Sequence, residues 1–81
     1  METIADIPIS FIRWENLEKK RYYQIYISRD LFGDWVITKS WGSLITAAGR
    51  ITRVACFSTQ EVLNLIEKIK RTRLKRGYLP C

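Results

Sequence analysis

Eighty-one residues, 47% apolar and 27% charged, with ten aromatics spread along the whole length, suffice for one thin hydrophobic core, which excludes a second domain and an intrinsically disordered chain. Two cysteines and no histidine exclude a zinc constellation built from this chain alone and deny a cysteine nucleophile its imidazole. The net charge of +6 lies in the second half: residues 1–34 carry five basic and six acidic side chains, residues 35–81 nine and two, and such a field suits a polyanion, either nucleic acid or an acidic membrane surface.

The start of the chain, Met1 to Asp6, has no basic segment followed by an apolar one, and no apolar run approaches the roughly 20 residues that span a bilayer, so a cytoplasmic, reducing location is expected. Ile7 to Glu15 reads as a first strand with Ile9 and Phe11 on one face and Ile12 and Trp14 on the other; Pro8 belongs at its start or on an edge. Asn16 to Arg21 reads as a charged turn. Tyr22 to Arg29 is the clearest strand, with Tyr23, Ile25 and Ile27 on the buried side and Tyr22, Gln24, Tyr26 and Ser28 on the other. Asp30 to Asp34 is a hairpin connection in which Gly33 supplies a positive φ. Trp35 to Leu44 is the third strand, with Trp35, Ile37, Lys39 and Trp41 on one side, and Thr46 to Gly49 turns the chain into a fourth strand over Arg50 to Phe57.

The apolar period then changes from two to 3.6. Ser58-Thr59-Gln60-Glu61 has the form of a capping box, so a helix starts at Thr59, with Val62, Leu63, Leu65, Ile66 and Ile69 as its apolar arc and Asn64, Lys68, Arg71 and Lys75 on its back. Gly77 suits a left-handed C-cap, and the basic last turns suit the negative end of the helix dipole. The expected architecture is a single α+β domain over residues 1–81, a four-stranded antiparallel sheet with one C-terminal helix packed across it. Trp14 and Trp35 are assigned to the core, and Cys56 is read as a buried small hydrophobe.

Trp41-Gly42-Ser43, with Tyr22-Tyr23 before it, Gly33 in the hairpin, Gly49 closing the next loop, Phe57-Ser58 before the helix and Lys75-Arg76-Gly77-Tyr78 at its end, resembles the WGR domain over roughly residues 17–78. Members of that family are antiparallel sheets with a helix packed across them, found beside the catalytic domains of poly(ADP-ribose) polymerases and as separate bacterial proteins. In the polymerases the motif tryptophan and arginine engage the sugar-phosphate backbone of broken DNA. The resemblance implies that role for Trp41. It does not give the arginine's role to Ser43, which offers one hydrogen bond in place of a charged fork. Ile45 and Arg50 also depart from the family pattern, where glycine and glutamine are usual.

The resulting expectation is a non-catalytic domain that binds nucleic acid, DNA before RNA, through backbone phosphates with little sequence specificity. Trp41 packs on a sugar or base, Ser43 donates a hydrogen bond, and Lys39, Arg50 and Arg53 neutralise phosphates, Arg50 and Arg53 being placed on one face of the strand beside Trp41. Lys68, Arg71, Lys75 and Arg76 supply a longer-range field. No metal, cofactor, small-molecule substrate or membrane is expected to take part, because carboxylates are scattered, no glycine-rich phosphate loop is present and the basic helix face lacks an apolar insertion edge. The alternative is a protein-interaction module, docking on a partner or on a second copy through exposed tyrosines such as Tyr22 and Tyr26.

Overall fold

Alternating side chains make the strands, and their pairing follows from short turns between neighbours. The computed structural model describes residues 11–81, which form β1 (Phe11–Asn16), β2 (Arg21–Arg29), β3 (Trp35–Ser43), β4 (Gly49–Cys56), α1 (Thr59–Lys75) and β5 (Leu79–Pro80). The chain is α+β: an antiparallel sheet in the order β4-β3-β2-β1-β5, with α1 packed on one face. The expected sheet had four strands. The fifth, a two-residue pairing of Leu79 and Pro80 with Glu15 and Trp14, is too short and too near a proline to show a period-two pattern in sequence. Of the first strand expected from Ile7, the part from Ile7 to Ser10, with Pro8, lies outside the described residues.

Register decides which side chains share a face. Trp14, Tyr23, Trp41 and Arg50 are successive cross-strand partners, as are Ile12, Ile25, Lys39 and Thr52, so all of these point toward the helix side. There Trp14, Ile25, Ile27, Trp35, Ile37 and Cys56 close over Val62, Ile66, Ile69 and Tyr78 to form the core. Both assigned core tryptophans and Cys56 are buried. Burial, and secondarily the Glu61 carboxylate, push the Cys56 thiol upward, which leaves little thiolate at neutral pH. Leu63, expected within the apolar arc of the helix, is instead 40% exposed, because it lies a full 100° around the axis from the buried Val62.

The helix is tied at both ends. Ser58 is the N-cap, its Oγ accepting from the Glu61 N–H at 3.1 Å, while the Glu61 carboxylate accepts from the Phe57 N–H at 2.6 Å, one residue before the cap. At the other end Gly77 holds φ +84°, with Tyr78 N–H donating to Arg73 C=O at 2.9 Å and Gly77 N–H to Leu74 C=O at 3.1 Å, the paired bonds of a Schellman ending. Asn16, buried in β1, donates to the Arg76 carbonyl at 3.1 Å and accepts from the Lys19 N–H at 3.0 Å. One side chain thereby joins the helix end to the β1–β2 turn.

Because α1 begins beside Cys56 and finishes at Asn16, it runs obliquely from β4 toward β1. It leaves the Trp41 end of β3 and most of β4 uncovered on the helix side. The opposite face of the sheet carries no second layer among the described residues; Phe11, Tyr26, Thr38 and Arg53 form one row across it. No helix among the described residues is long and apolar enough to cross a membrane.

Candidate nucleic-acid interface

In an up-and-down meander alternate turns fall at the same end of the sheet. The β1–β2 turn therefore stands beside the loop that follows Trp41-Gly42-Ser43, and Leu44 N–H donates to the Lys20 carbonyl at 2.8 Å to join them. Between them opens a cleft of about 730 Å³. Its walls carry Lys19, Lys20, Arg21 and Arg50 against one carboxylate, Glu18, with Trp41 and Ser43 at its centre. Lys20 holds φ +56°, a conformation that L side chains seldom adopt.

Trp41 is half-buried. One side of the indole stacks on Tyr23, with centroids 5.8 Å apart and planes 16° from parallel, and Tyr23 in turn meets the buried Trp14 at 6.1 Å. The three rings come from register partners on three neighbouring strands, so the sheet fixes the outer ring's position through the inner two. Arg73 completes the stack, its guanidinium 4.1 Å from the Tyr23 ring and 4.9 Å from that of Tyr78. Burial pushes the Tyr23 phenol upward, against the opposing charge of Arg73. It therefore remains a protonated donor across the neutral range.

Ser43 is used by its own loop. Its Oγ accepts from Ile45 N–H at 3.1 Å and Thr46 N–H at 3.2 Å, and its backbone N–H donates to Ala48 C=O at 3.1 Å. The hydroxyl proton remains available to a ligand. What Ser43 lacks in charge, the neighbouring strand provides: Arg21 is its cross-strand partner, and Arg50 is the partner of Trp41 on the other side. Both arginines are exposed and line the cleft.

The other expected site residues divide into four groups. Lys39 and Lys68 border a smaller cleft beside Trp41, between β3 and α1. Lys75 and Arg76 line a further cleft at the helix end, which shares Glu18 and Lys19 with the Trp41 cleft, so their charges extend the same basic band. Arg71 is exposed on the helix back, away from the described clefts. Arg53 does not share a face with Arg50. Three residues along a strand is an odd step, which turns a side chain to the opposite face; Arg53 pairs with Thr38 on the open side of the sheet.

Lys19, Lys20 and Arg21 were not among the expected site residues, since their segment reads locally as a solvated turn. The signal was the topology: a meander brings that turn beside the loop after Trp41. Tyr22, expected to be exposed, is half-buried with the Arg13 guanidinium 4.7 Å above its ring, whereas Tyr26 is exposed. Among the described residues no three of histidine, cysteine, aspartate and glutamate gather where a metal ion could be held. The chain matches no protein-family model, no curated protein and no solved structure.

Proposed function

We propose that this domain is a non-catalytic nucleic-acid-binding module that engages the phosphate backbone of DNA with little sequence specificity, and that the cleft around Trp41 is its landing surface. One observation carries the reading: a half-exposed indole, rigidly backed by Tyr23, is flanked by four cations facing a single carboxylate. Cations displace the condensed counterions of a nucleic acid, and a flat ring held at their centre packs on a sugar or base. Arg21 and Arg50 supply the charge that the WGR resemblance places at the third motif position. The two cysteines, neither of them in a disulfide, suit a reducing cytoplasm.

Trp41→Ala is expected to weaken binding of a short DNA duplex that carries a single-stranded overhang by about 1 to 3 kcal/mol, the value of one base stacked on an aromatic ring. Fluorescence anisotropy with a labelled duplex measures it, and circular dichroism checks that the sheet persists. A duplex affinity unchanged by this substitution contradicts the reading. The open face supports a second reading, docking of a protein partner or a second copy, because Phe11, Tyr26 and Ile51 stand 50%, 54% and 65% exposed there. On that reading Tyr26→Ala, and not Trp41→Ala, removes binding.

A further inference from the structure

We propose that the small cleft between α1 and β3 is a second anion site, one that holds a single phosphate group. The inference deepens the proposed function and rests on it only for the source of that phosphate. Tyr23, Lys39, Lys68, Thr72 and Arg73, over a floor that includes the apolar Leu65 and Ile69, border a space of about 190 Å³. At roughly 30 Å³ per water, that is the room of about six waters, enough for an oxyanion with part of its hydration.

Three cations and no carboxylate line this space. Lys39 arrives from β3, and Lys68 and Thr72 lie four residues apart on one flank of α1, so both elements place donors around the same point. Arg73 is held between two rings, which fixes the plane of its guanidinium without neutralising it. Its Nε is sealed from solvent and has no hydrogen-bond partner. None of these three cations is paired with an acid among the described residues.

The donor set favours a tetrahedral oxyanion. Lys39, Lys68, Arg73, Thr72 and Tyr23 come to this cleft from β2, β3 and α1, and phosphate offers oxygens to several donors at once. Chloride offers one centre and a carboxylate two oxygens in one plane. Lys39 is two residues from Trp41, about 7 Å along the strand, so a polymer lying on the indole brings a backbone phosphate within reach of this cleft. Free phosphate presents the same chemistry.

The test is a nuclear magnetic resonance titration of the isotopically labelled 81-residue chain with inorganic phosphate, with chloride at matched ionic strength, and with a short DNA duplex. Saturable shifts at Tyr23, Lys39, Thr72 and the Arg73 Nε–H with phosphate but not with chloride are expected. The double substitution Lys39→Gln with Lys68→Gln should weaken them about tenfold or more, since each lost charge-assisted contact contributes on the order of 1 kcal/mol. Shifts that chloride reproduces, or that the double substitution leaves unchanged, overturn the proposal, and the chloride comparison decides it in the unmodified chain alone. A duplex that moves the same resonances and is displaced by phosphate identifies the backbone as the source. Phosphate that fills the cleft while no duplex binds supports the anion site and defeats the proposed function; a duplex bound at Trp41 with the cleft silent to phosphate does the reverse.

Discussion

Reversing Arg21 and Arg50 together, Arg21→Glu with Arg50→Glu, is expected to lower duplex affinity by about a hundredfold or more and to reduce the salt slope by about two units. Each replaces a cation on the wall of the Trp41 cleft with an anion, and both side chains are exposed, so the fold has little stake in them. Arg53→Glu makes the same change of charge on the opposite face of the sheet, opposite Thr38. Its effect should be confined to the long-range field and amount to a few-fold loss, screened within about 10 Å at ordinary salt. Anisotropy titrations of the two variants side by side measure the difference. Equal losses from both would mean that the protein's overall charge, and not the cleft, holds the ligand.

Gly42→Ala is expected to destabilise the fold strongly, costing about 3 kcal/mol, at the upper end of what overpacking does. A Cβ at this position would lie 2.4 Å from the Ala48 carbonyl oxygen and 2.8 Å from the Gly49 Cα, both backbone atoms. The carbonyl cannot swing aside cheaply, because it accepts the Ser43 N–H at 3.1 Å. Relief therefore requires the whole loop after the motif to open. Gly33→Ala is the comparison: its Cβ would meet nothing within 4 Å, and the cost comes only from φ +84°, about 1 kcal/mol. Urea unfolding midpoints rank the two, and a Gly42→Ala protein as stable as the Gly33→Ala one would show that the loop does not close as described.

Most of the architecture could be read from the chain because its strands alternate cleanly and its helix carries both caps. Ser58 and Gly77 mark the helix's limits in sequence and perform those roles in space. The two-residue β5 escaped because pairing so short leaves no periodic trace; it exists through the return of the chain after Gly77 to β1. The candidate site was less legible. Trp41, Ser43 and Arg50 stand together in the cleft, but Arg53 was misplaced by an error of strand parity. Lys19, Lys20 and Arg21 matter only once the β1–β2 turn and the loop after Trp41 are seen to occupy one end of the sheet. In sequence Arg73 is one more cation in the basic last turns of the helix, and its position between Tyr23 and Tyr78 follows from where the helix crosses β2.

Whether the cations around Trp41 hold phosphates is tested most directly by the salt dependence of duplex binding by the unmodified chain. Four cleft cations, each neutralising one phosphate, give an expected slope of about −3.6 in log affinity against log salt, at roughly −0.9 per duplex phosphate. A slope near that value, reduced in the Arg21 and Arg50 reversal, is the result expected. Binding that ignores salt, or no measurable binding at low salt, would contradict it.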